Sequence, residues 1–340
     1  MMNNGIQIIG TQRSGSNLLR VMLDQSAEIA SPHPPHILVT FMPLLASYGT
    51  LDAVSYRQLV KDVVAYVNVN PVPWEGVVLD EEEIFRQSES YHLFTLNRLI
   101  YEQAAISKNA KYWCCKSMAN VHYAAEMEAF GLQPKYVFLY RDGRDVACSF
   151  KKAIVGEKHI YHLAQQWKKD QMACIRLREI LPADRFFSLN YETLITAPEN
   201  EIRRLCTFLD IDYHPDMLQF HGSKTSKLTA AAGEMWSNLE KPIISNNTGK
   251  FLNEFKDNDL EIFELVAGEV LTALDYKRYA LDADQRLIDA AQLANYDQEN
   301  EILKQEALAV ARPSDLENRA PQLQILKEIK SRTTCKVQSI

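Results

Sequence analysis

Four short, mainly apolar runs punctuate the first two thirds of the chain, at residues 6–9, 112–115, 136–140 and 186–189. They lack the in–out alternation of half-exposed strands and suit strands covered on both faces, as in parallel sheets. Helical spacing follows three of them, at 17–25, 145–152 and 199–209. In the last stretch Ile202, Leu205, Cys206 and Leu209 share one helical face, and Pro198 stands where a first helical turn tolerates it. Strand and helix in alternation predict an α/β fold with a mainly parallel sheet.

Residues 31–110 carry no strand signal and read as a mostly helical insertion with proline corners at Pro32, Pro34, Pro35, Pro71 and Pro73. Its place in the chain predicts a cover over the carboxyl edge of the sheet, with Trp74 and His92 as candidate pocket walls. From about Asp282 the pattern turns polar and helical. The expected organisation is one domain over 1–280 and a helical C-terminal extension over 281–340, packed on the domain or loosely attached. No internal repeat or low-complexity tract interrupts it.

A chain of 340 residues with 46% apolar content can bury a sizeable core. A net charge of −7 argues against nucleic acid or anionic membrane as partner, so any anionic ligand must be held by a local cluster of donors. The six cysteines form no CxxC pair, and buried free thiols are the expectation. No run approaches the ~18 apolar residues of a membrane span, and MMNNGIQIIG has no leader pattern. A cytoplasmic protein without a membrane span is expected.

The segment IQIIGTQRSGSNLLR, residues 6–20, runs from the first apolar stretch through a Gly- and Ser-rich turn into helix formers. Gly10 and Gly15 have the spacing of a phosphate-binding loop, but Ser16 and Asn17 follow where a Walker loop has Lys and Ser or Thr. A strand–turn–helix corner still presents backbone N–H groups and the positive end of a helix dipole to an anion. Arg13, Ser14, Ser16 and Asn17 add side-chain donors at the same point. The bland reading is a glycine turn with a capping serine and a surface arginine. A second corner, YVFLYRDGRDVACSF at 136–150, puts Arg141 directly after a strand and Ser149 one turn beyond Asp145, so two donors can converge on one anion. Here the alternative is a helix start capped by Asp142 or Asp145.

GTQRSGSNLLRVMLDQ resembles the 5′-phosphosulfate loop of sulfotransferases that use 3′-phosphoadenosine 5′-phosphosulfate (PAPS), most of all the branch containing the tyrosylprotein sulfotransferases, where an Arg-Ser-Gly-Thr-Thr core precedes a Leu- and Met-rich helix. The resemblance spans roughly residues 5–275 and implies a P-loop-NTPase-like three-layer sandwich. It assigns Arg13, Ser14, Gly15, Ser16 and Asn17 to the phosphosulfate, and Arg141 with Ser149 to the 3′-phosphate. Tyr191 resembles the tyrosine beside the adenine, though it equally suits a core aromatic. KPIISNNTGKFLNEF, residues 241–255, resembles the loop that closes over the nucleotide, with Lys241, Gly249 and Lys250 as contacts; the Arg-Lys-Gly signature of the cytosolic branch is absent.

The implied chemistry is in-line transfer of a sulfuryl group to an acceptor hydroxyl, without a metal, and it needs positive charge for the leaving group and a base for the nucleophile. Aligning Asp24 and Ile29 with their counterparts places His33 where the tyrosylprotein branch carries a catalytic glutamate, and imidazole can accept a proton near neutrality. His36, beyond Pro34 and Pro35, is the reserve; capping or surface histidines are the plain alternative. Lys116 resembles the lysine of a Lys-Thr-Pro element, with Ser117 and Met118 replacing Thr and Pro. Arg13, Lys116, His33 and His36 thus form the candidate catalytic set. The acceptor is expected to be a small-molecule or lipid alcohol, a sugar or a tyrosyl group. The competing readings are a P-loop kinase or NTPase, and a non-catalytic nucleotide-binding protein of the same fold.

Overall fold

The computed structural model describes residues 5–280 and 287–337; residues 1–4 and the side chain of Cys335 lie outside the described part. Five parallel strands form the sheet: β1 (Gly5–Ile9), β2 (Ile29–Ala30), β3 (Tyr112–Cys115), β4 (Lys135–Tyr140) and β5 (Phe186–Asn190), in the spatial order β2-β3-β1-β4-β5. The expected strands are all present, and the two-residue β2 is an addition too short to show in the sequence. Registers such as Ile6 opposite Cys114, Ile9 opposite Phe138 and Phe138 opposite Ser188 align the strand ends.

The inner strands β1, β3 and β4 bury both faces, with alternate residues feeding two separate cores, while the edge strand β5 is only partly covered. Ile6, Ile8, Cys114, Val137 and Leu139 pack under α1 (Ser16–Asp24), whose Leu19, Met22 and Leu23 are fully buried. Ile9, Trp113, Cys115 and Phe138 face the opposite layer. The insertion supplies α2 (Ile37–Phe41), α3 (Ala53–Asn68), α4 (Glu81–Gln87) and α5 (Leu93–Lys108), and is mostly helical as expected. Beyond it come α6 (Ala124–Phe130), α7 (Gly143–Lys151) and the long α8 (Ile160–Ile180), whose Trp167 packs against Phe263. α9 (Tyr191–Thr196) and α10 (Pro198–Leu209) return to the first layer, where Ile202, Leu205 and Leu209 are fully buried, each contributing about 1.5–3 kcal/mol of transfer free energy. The outcome is a three-layer α/β sandwich.

The remaining helices are α11 (Lys224–Ala231), α12 (Phe251–Glu254), α13 (Asp257–Ala273), α14 (Ala290–Ala309), α15 (Pro313–Glu317) and α16 (Ala320–Val337). The last two dock on the domain. Ile329 is buried in the main core, Arg332 pairs with the buried Asp62 of α3 at 2.6 Å, and Gln322 donates to the carbonyl of Tyr66. The five described cysteines are free and buried. Among the described residues no helix is long and apolar enough to cross a membrane.

Candidate active site

The strand order decides where chemistry gathers. Lys116 follows β3, the 10–17 turn follows β1, Arg141 follows β4 and Tyr191 follows β5, so four neighbouring strands deliver them side by side along one carboxyl edge. From β1 the chain builds β2 and β3 on one side, then crosses from β3 to β4 and β5 on the other, and this reversal beside β1 is the switch point where open α/β sheets bind ligands. A cavity of about 790 Å³ lies there, within the ~300–1,000 Å³ range of small-molecule sites.

Two glycines shape the turn after β1. At Gly10, with φ of 133°, a Cβ would fall 2.4 Å from the carbonyl oxygen of Leu139; at Gly15, with φ of 86°, it would fall 2.4 Å from the Tyr191 ring. Neither the backbone conformation nor the space admits a side chain. Gly15 is also the N-cap of α1 and offers no capping side chain, so the first-turn amides have no side-chain acceptor. Arg20, fully buried, donates to the Ser31 carbonyl, to Thr229 and to Oδ1 of Asn17, which leaves the Asn17 amide N–H groups free to donate.

The two expected anion corners touch. Arg13 Nε donates to Ser149 Oγ at 3.0 Å, and Arg141 donates to the Arg13 carbonyl at 3.3 Å. Arg141 lies over the Tyr191 ring, 4.4 Å from its centroid, and its Nε is buried without a partner. Asn247 donates to Arg141's neighbour, the Tyr191 hydroxyl, and accepts from Arg141 through its backbone oxygen. Asp142 caps α7 by accepting from the Arg144 amide, while Asp145 accepts from the amides of Gly249 and Phe251 and so ties the 247–251 loop to α7. Burial together with Arg141 and Arg319 lowers the Arg13 guanidinium to about 10.

On the far side of the turn lie Lys116, His33 and His36. Lys116 is buried, and desolvation with Arg20 and Arg13 nearby pulls its ammonium down to about 7. His33 is gripped through its backbone oxygen by Trp74 Nε1 at 2.7 Å and Asn70 Nδ2 at 3.1 Å, and its ring meets Trp236 edge-on at 4.9 Å. The Asn70 amide also donates to the Val72 carbonyl and stands 3.3 Å from His33 Nδ1, while His33 Nε2 is buried without a partner. His36 adopts φ of 61° at the N-cap of α2, and neither ring nitrogen has a hydrogen-bond partner among the described residues. Burial, with Lys116 and Arg319 close, depresses His36 to about 3 and His33 well below its ordinary value.

Most expected site residues therefore line one cavity: Arg13, Gly15, Ser16, Asn17, His33, His36, Lys116, Arg141, Ser149, Tyr191, Lys241 and Lys250. Ser14 does not, being fully buried behind the turn with an unpartnered hydroxyl. Gly249 does not either, because its amide is committed to Asp145. Tyr191 is 4% exposed, packed between the glycine turn and Arg141. The expected pocket walls Trp74 and His92 are elsewhere: Trp74 supports His33 from behind, and His92 caps α5 and stacks on Phe130. Sequence reasoning missed Asn70, Trp236 and, from the C-terminal helices, Asp315, Arg319 and Gln322. Arg20 alone left a trace, as a charge inside the apolar run LLRVML.

Residues 5–215 match the model of the sulfotransferase family, and the chain belongs to that family. Among solved structures it is similar to the sulfotransferase domain from the Synechococcus PCC 7002 olefin synthase, with 19% identity and a TM-score of 0.59 over 81% of this chain and 96% of that one. It is similar also to the sulfotransferase domain from the curacin biosynthetic pathway, with 20% identity and a TM-score of 0.52 over 81% and 98%. These likenesses concern the fold. No curated protein sequence matches the chain.

Proposed function

We propose that the protein transfers a sulfuryl group from PAPS to an acceptor hydroxyl. The observation that carries the reading is the convergence of Arg13, Lys116, Arg141 and Ser149, from three strand ends and the helix after one of them, on one cavity at the switch point of the sheet. The residues suit the nucleotide: the Gly15 cradle excludes even a methyl group, the first-turn amides are open, and the buried Nε of Arg141 lacks an acceptor. Bound there, PAPS would supply the sulfuryl group and a phosphate leaving group.

In this reading Arg13, Asn17 and the amides of Gly15 and Ser16 hold the phosphosulfate end, and Arg141 with Ser149 holds the 3′-phosphate. Lys241 and Lys250 add exposed charge at the cavity mouth. Lys116 contributes a cation whose charge is weak in the free protein and is restored by a neighbouring anion. Between the histidines, the surroundings favour His36 as base, because the His33 ring is packed against Asn70 and Trp236 while the ring nitrogens of His36 have no partner among the described residues. His33, whose Nε2 has no partner, would then donate to developing negative charge in the tautomer that carries the proton there. The low affinity of His36 for protons belongs to the free, cation-lined cavity; an anionic donor raises it.

The test is thermal unfolding with 3′-phosphoadenosine 5′-phosphate (PAP) against ATP with magnesium. PAP is expected to raise the melting temperature several degrees at saturating concentration and ATP to act weakly. Equal shifts would support a P-loop kinase instead, and absence of label transfer from PAPS to any hydroxyl compound, with PAP binding intact, would favour a non-catalytic nucleotide-binding protein.

A further inference from the structure

Among the described residues that line the cavity, two cations fall outside the donor-binding set: Lys152, which pairs with Glu254 at 2.7 Å, and Arg319, which has no such pair. Arg319 stands at the turn between α15 and α16 and lines the cavity on the side of His33 and Trp236. Its guanidinium lies 5.5 Å from the Trp236 ring centroid, one terminal nitrogen contacts the Met235 sulfur at 4.0 Å, and Nε is buried without a partner. Among the described residues no carboxylate lies within ion-pair distance of it. The acids nearby are engaged: both oxygens of Asp315 accept from the Glu234 amide, and the Glu234 carboxylate pairs with Arg312 at 2.6 Å.

This arginine is held in position. Asn318 donates to the Ala232 carbonyl, Gln322 reaches the Tyr66 carbonyl, and about two turns beyond Gln322, Ile329 is buried in the core. Burying a guanidinium without a paired anion is costly, and the structure meets that cost only in part, through an aromatic face, a thioether and the charge of Asp315, which lies beyond ion-pair distance. Its neighbours across the cavity, Lys116, Arg13 and the two histidines, are neutral or cationic and add no compensating charge. A fixed, partly desolvated guanidinium facing a cavity is a planar fork for a carboxylate or similar anion.

Resting on the sulfotransferase reading, we infer that Arg319 forms a subsite for an anionic group on the acceptor, so that the C-terminal helices select a hydroxyl compound that also carries a carboxylate or another compact anion. Trp236 and Gln322 border this subsite, and the acceptor hydroxyl then faces the histidines.

The experiment uses the full chain saturated with PAP and measures, by calorimetry, the binding of 4-hydroxyphenylacetate and 6-hydroxyhexanoate against their neutral primary amides. A charge-assisted contact predicts that the acids bind ~10–100-fold more tightly than the amides. Arg319→Gln is expected to erase that preference while leaving PAP affinity unchanged, and Arg319→Lys, which keeps the charge, is expected to restore part of it. Equal binding of acid and amide to the unaltered protein overturns the inference, as does a preference that survives Arg319→Gln. A tenfold loss of PAP affinity in Arg319→Gln also overturns it, by assigning the arginine to the donor. Failure of PAP to bind the unaltered protein would instead sink the sulfotransferase reading, so the two failures are distinguishable.

Discussion

Replacing Lys116 with methionine should make the protein more stable and, on the proposed chemistry, less active. In the fold the ammonium is buried beside Arg20 and Arg13 and titrates at about 7, whereas in the unfolded chain it returns to its ordinary 10.5. The unfolded chain therefore holds the proton more tightly, and between those two values stability rises with pH. That gap corresponds to about 5 kcal/mol of destabilisation, fully present below pH 7, reduced to about 2 kcal/mol at pH 9 and absent above 10.5. Methionine has a similar length and no charge, so Lys116→Met should gain up to that amount at pH 6.5 and much less at pH 9. Urea unfolding of both proteins at pH 6.5, 8 and 9 measures it. A variant less stable than the parent at every pH, or one whose advantage does not shrink as pH rises, would refute the assignment of a strained, buried ammonium. Sulfotransfer in the variant should fall ~10²-fold or more through loss of charge at the reacting group.

Two further outcomes follow from the cation-lined cavity and the turn. Because Lys116 loses its proton near pH 7 in the free protein, kcat/KM for PAPS should decline above that pH, while the depressed imidazole of His36 should keep the acid limb below the ordinary 6.5; an acid limb unchanged in both His36→Gln and His33→Gln would remove the histidines from the chemistry. Gly15→Ala must place a methyl group 2.4 Å from the Tyr191 ring at positive φ, and should cost about 2–3 kcal/mol of stability along with PAP binding, both readable in one thermal-shift titration.

What local sequence determined is the set of parts. Unalternating apolar runs at β1, β3, β4 and β5 announced a buried parallel sheet, since a strand covered on both faces has no polar side. Gly10 and Gly15 announced a turn that no side chain can enter, and Arg13 and Arg141, each just beyond a strand, announced anion corners. Pattern and backbone conformation are encoded over a few residues, and so they can be read without the fold. Position across the sheet is different. Only the order β2-β3-β1-β4-β5 brought Lys116 and Arg141 to opposite sides of the same turn, and only side-chain packing showed Arg13 bonded to Ser149, Gly249 spent on Asp145, and Trp74 behind His33 and not in the cavity. The hold on His33 depended on Asn70, 37 residues away, and the place of Arg319 in the cavity depended on a helix pair some 280 residues downstream of the histidines. Contacts of that separation are selected by burial of the whole chain at once, which is why the tertiary structure alone decided which charges meet.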